Sequence, residues 1–175
     1  LYTVAQVNVA MGRSAAGAWG GWTLVVAYED ESEPRRHLAL WDGFDTLTAD
    51  RDQVVQLPHV EFPKGAGGRV GLVAYNGDRG TPGDTLTVST GHGQPVPLGD
   101  AANPRDDILN STISEPGPAG SHRSPAHANT LGYDSDVLDM SEQVQGGGDR
   151  LVFRMASERD AAWAGVLFVA VDARP

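Results

Sequence analysis

Cysteine is absent from all 175 residues, and lysine occurs once, at Lys64. Without thiols there is no disulfide framework, no thiol catalysis and no zinc–thiolate site. An exported bacterial protein that dispenses with disulfides fits that absence, as do many cytosolic proteins. Positive charge is also scarce. Thirteen Lys and Arg face twenty-three Asp and Glu, for a net charge of -10. Such a field repels phosphate backbones and anionic lipid, so neither nucleic acid nor a membrane surface is an expected partner. No apolar run approaches the roughly 18 residues of a membrane span, and no membrane insertion is expected.

Catalytic signatures are missing as well. There is no Gly-x-Ser-x-Gly elbow, no His-x-His and no His-Glu-x-x-His. The five histidines, His37, His59, His92, His122 and His127, are scattered. A glycosidase needs two facing carboxylates, and Glu61 is the best strand glutamate but has no evident partner. The chain reads as a non-enzyme.

What is present is short, β-type and punctuated by turns. Gly 22 and Pro 11 exceed average usage without reaching disordered composition. The length suits one domain, 1–175. Leu1–Val9 alternates, and Trp22–Tyr28 is nearly continuously apolar, the pattern of a strand buried on both faces. Further strands are expected at 37–41, 53–57, 69–75, 85–89, 108–113, 150–155 and 165–171. In 151–155 the odd positions should face a core and Arg154 solvent. Residues 157–164 form the most helix-like stretch, with only Ala and Trp163 on its apolar side. Asn76-Gly77-Asp78 and Gly146-Gly147-Gly148-Asp149 are turn signals. Residues 115–130 are Pro/Gly-rich and read as a surface loop within the domain. Together these features predict an all-β antiparallel sandwich, jelly-roll-like, with little helix. The strand-like start without Met reads as a fragment of a longer or processed chain.

The acidity is mostly aspartate, which caps turns and also suits Ca2+. In Asp134-Ser135-Asp136 an extended backbone puts both carboxylates on one face. Asp106-Asp107 follows the loop Gly99–Pro104, and Asn76, Asp78 and Asp84 flank a Gly-rich loop. No EF-hand or nonapeptide calcium repeat is present. Asp134 and Asp136, with Asp107, are therefore the candidate Ca2+ ligands, against the alternative of plain turn caps. Trp22 and Trp41 are expected in the core. Trp19, in a loop of small residues, is the candidate for stacking on a sugar ring. Asn110-Ser111-Thr112 matches a glycosylation sequon, and Lys64 looks exposed.

Three stretches carry a resemblance. They are Ala18–Tyr28 with Pro34–Phe44; Gly77–Asp84 with Asp100–Pro104 and Asn110–Ser114; and Leu131–Asp139 with Ala164–Phe168. In that order they resemble the β-rich region of large secreted bacterial surface proteins of actinobacterial type. That region often precedes immunoglobulin-like modules of the conserved-repeat kind. The resemblance spans nearly the whole chain, and the Pro-rich loop departs from it. It implies export, surface display and neighbouring domains in the same chain. It supplies no catalytic residue and no ligand.

The expected role is thus a non-catalytic extracellular structural or adhesive module of a cell-surface protein, stabilised by calcium. Its partners would be adjacent domains and a surface glycan or protein. The alternatives are a calcium-assisted, lectin-like carbohydrate-binding module, a carbohydrate-active hydrolase using Glu61, and an assembly or fibre subunit.

Overall fold

A computed structural model of the chain describes residues 2–7, 21–91, 93–116 and 123–174. Its elements run β1 (Arg36–Leu47), β2 (Gln53–Phe62), β3 (Gly68–Tyr75), β4 (Asp84–Ser89), β5 (Val96–Pro97) and β6 (Ile113–Ser114). There follow β7 (Tyr133–Asp139), α1 (Ser141–Val144), β8 (Gly148–Ser157) and β9 (Ala162–Asp172). They form two sheets, β1-β9-β3-β7-β6 and β2-β8-β4-β5. Pairing is antiparallel except between β6 and β7. The expected all-β sandwich is what the chain forms.

Alternation places the core between the sheets. From β8, Leu151, Phe153 and Met155 point inward, while Arg154 is exposed and donates to Asp52 at 2.7 Å. From β3 and β9, Val70, Leu72 and Ala74 meet Ala164, Leu167, Val169 and Val171. β3 lies between β9 and β7, so its outward residues Gly71 and Val73 are buried too. That is the near-continuous apolar signature of a central strand. Gly71 pairs with Phe168 across β3 and β9, and the Phe168 ring lies over it. A Cβ on Gly71 would sit 1.8 Å from that ring, so only glycine leaves the ring its seat.

Four local readings are not what the chain forms. Trp22–Tyr28 is not a strand and Trp22 is 55% exposed. Apolarity on both faces signals a wish for cover, but a strand also needs a neighbour to take its N–H and C=O groups. This segment instead runs near the outer face of the five-stranded sheet, where Thr23 Oγ1 hydrogen-bonds the Tyr133 hydroxyl at 2.5 Å. Residues 2–7 likewise carry no strand. Of 108–113, only Ile113 enters a strand, because Ser111 adopts a left-handed φ of 59° that breaks extension. Residues 157–164 are not helical: β8 ends there and β9 begins, with Ser157 Oγ donating to Asp160 O at 2.7 Å. Sheet pairing overrides the modest helix preference of alanine.

Trp41 is half-buried and packs against the core, and Lys64 is exposed. Among the described residues no helix is long and apolar enough to cross a membrane.

Candidate functional site

The polar centre of the molecule lies at one end of the sandwich, where β3 ends and β4, β7 and β9 begin. Alternation in β7 turns Asp134, Asp136 and Leu138 inward, and all three are at most 1% exposed. Asp134 is level with Ala74, and Asp136 with Leu72, on β3. Across the interior, Asp84 opens β4 on the same face as Leu86 and Val88. The extended arrangement inferred for Asp134 and Asp136 is therefore present, and it points into the protein.

The segment before β6 is folded around this pair. Thr112 N donates to Asp134 Oδ1 at 3.1 Å. Ser114 Oγ donates to Asp136 Oδ1 at 2.8 Å. Thr112 Oγ1 lies 2.8 Å from Asn103 Oδ1, 2.8 Å from Asn110 Oδ1 and 3.2 Å from Asp136 Oδ1. Asn103 Nδ2 donates to Ser114 Oγ at 2.7 Å, and Asn110 Nδ2 to Ala102 O at 2.8 Å. Ser111 ties the layers together: its hydroxyl donates to Gly77 O at 2.6 Å and accepts from Gly132 N at 2.8 Å. Asn110 is buried and its amide is engaged, so in the folded chain the sequon is packing chemistry rather than an open acceptor.

Among the described residues three buried side-chain oxygens have no hydrogen-bond partner: Asp134 Oδ2, Asp136 Oδ2 and Asp107 Oδ1. They belong to the three aspartates singled out in the sequence. The structure does not gather them at one point. Asp107 bridges Asp84 across a parallel pair and accepts from Gly80 N at 3.2 Å, while Asp134 and Asp136 share β7. Among the described residues no three acidic or imidazole side chains form a metal cage by themselves. Trp19 lies outside the described residues.

Burial pushes Asp134 up to about 8, against the Thr112 N–H that favours the carboxylate, and the charge of Asp136 adds to the rise. Burial likewise lifts Asp136 to about 7, partly offset by the Ser114 and Thr112 hydroxyls. Asp84 rises to about 6, again chiefly by burial, opposed by Ser157 and helped by Asp160, Asp107 and Asp78. The charged groups that raise all three are other aspartates. The surface ion pairs Arg36–Glu33, Arg36–Asp172, Arg51–Asp45, Arg154–Asp52 and Arg174–Glu61 do not involve them. Glu61 is itself exposed and 3.9 Å from Arg174.

Sequence reasoning found the β7 pair through its period of two. It placed Thr112 only in a sequon and gave no role to Ser114, because a hydroxyl's partner has no sequence signature until a fold brings the two together. Asn103 and Asp84 were visible only as turn-type polar residues, and Asn110 as the first residue of a sequon.

A second feature is apolar and outward. β1 is an edge strand of the five-stranded sheet. Its outward Leu38, Leu40 and Phe44 are 57%, 58% and 63% exposed. Phe44 stacks on Trp163 with centroids 6.5 Å apart, and Tyr75 links both Phe44 and Tyr133 at 5.6 and 5.5 Å. No family model, curated protein or solved structure matches the chain.

Proposed function

We propose that the chain is a non-catalytic structural or adhesive module of an exported bacterial surface protein, built to pack against adjacent domains of the same chain. The observation that carries this reading is the apolar outer flank of β1. A twelve-residue edge strand with Leu38, Leu40 and Phe44 in solvent is a surface that calls for a partner. The lack of cysteine, the acidic balance and the resemblance to secreted surface proteins support export. The aspartates Asp84, Asp134 and Asp136 turn inward, where they order the fold. Antibody raised against the chain and applied to intact cells of its source tests the reading. Labelling of unbroken cells is expected, and labelling only after lysis would overturn it.

One observation favours a second reading, a carbohydrate-binding module. The Phe44, Trp163, Tyr75 and Tyr133 rings form a connected aromatic row, and aromatic faces stack on sugars. A glycan-array signal lost in Phe44→Ala would support it, and a blank array would remove it.

A further inference from the structure

We propose that Asp134 and Asp136, with the Leu109 carbonyl beside Asp134 and the Asn103 and Asn110 oxygens gathered at the Thr112 hydroxyl beside Asp136, hold one Ca2+ ion inside the sandwich. Three observations lead there. The first is the pair of unpartnered oxygens, Asp134 Oδ2 and Asp136 Oδ2, on side chains 0% and 1% exposed. A buried acceptor without a donor is costly, and a carboxylate more so.

The second is a surplus of acceptors. The Thr112 hydroxyl has one proton, yet the oxygens of Asn103, Asn110 and Asp136 surround it at 2.8, 2.8 and 3.2 Å. One proton satisfies one of them. Oxygens crowded at such spacing without protons between them suit a hard cation.

The third is the space above Gly77. A Cβ there would lie 2.2 Å from Asp134 Oδ2 and 2.3 Å from the Leu109 carbonyl oxygen. A carboxyl oxygen and a main-chain carbonyl face the same small volume, and glycine keeps it open.

The donor set selects the ion. It is all oxygen, from carboxylate, amide, hydroxyl and main-chain carbonyl, with no nitrogen or sulfur. Zinc prefers nitrogen and sulfur, and magnesium keeps several waters, whereas Ca2+ accepts a mixed protein cage of six to eight oxygens. Two carboxylates match its double charge. Asp107 stays outside the set, since it sits with Asp84 and its other oxygen is held by Gly80 N.

The test is calorimetric titration of the EDTA-stripped chain with Ca2+ near pH 7.5, beside thermal unfolding with and without the ion. One ion per chain is expected, and a midpoint raised by about 5 to 11 °C at a Ca2+ concentration 100-fold above Kd. Asp134→Asn should fold, because its amide offers a donor to the Leu109 carbonyl, and should lose the shift. Asp136→Asn should lose it too and serves if the first variant is unstable. Asp107→Asn should keep it. No heat and no shift in the metal-free wild type would overturn the proposal and leave the pair as neutral, protonated acids. An equal shift with Mg2+ would overturn the choice of ion, and loss of the shift in Asp107→Asn would overturn the ligand set.

Discussion

β7 and β9 flank the same central strand, β3, and both pair with it antiparallel. Inward from β9 come Ala164, Leu167, Val169 and Val171; inward from β7 come Asp134, Asp136 and Leu138. All are almost fully buried. Two strands in equivalent settings thus use opposite chemistry. Position in a sheet sets burial, but not polarity. A polar interior is stable only when the facing segment supplies partners, as residues 109–114 do for β7.

The largest way to sharpen that contrast is pH. In the metal-free chain, burial favours the protonated form of Asp134, at about 8, over an ordinary value of 3.8. The folded state therefore binds more protons than the unfolded state between those values. Stability should be fullest below about pH 4 on the Asp134 account and fall as pH rises to about 8. The loss is on the order of 5 kcal/mol for Asp134 alone. Asp136 and Asp84 act in the same direction over narrower windows, to about 7 and about 6. Urea unfolding in EDTA at pH 5 and pH 8 checks it, and equal stability at both would break the contrast. On the β9 side, Leu167→Ala should cost about 2 to 5 kcal/mol with little change between those pH values. Urea midpoints for the variant at both pH values read this.

Between the two strands, Gly71→Ala drives a Cβ into the Phe168 ring. A loss of about 1 to 3 kcal/mol is expected, with the ring's environment altered in near-ultraviolet dichroism. An unchanged spectrum would show that the ring has no fixed seat. Smallest in stability should be Leu38→Ser with Leu40→Ser, within about 0.5 kcal/mol each because both side chains are exposed. Their effect should appear instead in binding to a neighbouring domain, read by sedimentation. Association that survives both changes would place the contact elsewhere.

Much of the sandwich was legible in the sequence. The strand cores 37–41, 53–57, 69–75, 85–89, 150–155 and 165–171 lie inside β1, β2, β3, β4, β8 and β9, since period-two patterns and turn glycines report local geometry directly. β7 escaped that list although its paired aspartates were noticed, because a strand whose inward residues are Asp does not look like one by apolar pattern. Trp22–Tyr28 misled in the opposite sense: its apolarity is real, but pairing is a property of neighbours. For the site, a spacing of two residues sufficed to join Asp134 to Asp136. The oxygens facing them come from segments more than twenty residues away, held by a turn at Ser111 that no composition announces.

The start of β1 and the end of β9 lie side by side, with Arg36 opposite Asp172 and Ala173 N donating to Arg35 O at 2.9 Å. Tension applied at Arg35 and Ala173 would load these antiparallel strands from one end. Their ladder would open like a zipper, one rung at a time, and not shear all at once. The aspartate pair sits toward the opposite end of the sheet, on the other side of β3. A module pulled this way would yield at low force along β1 while the polar end kept its shape, and it could re-form by closing the same ladder.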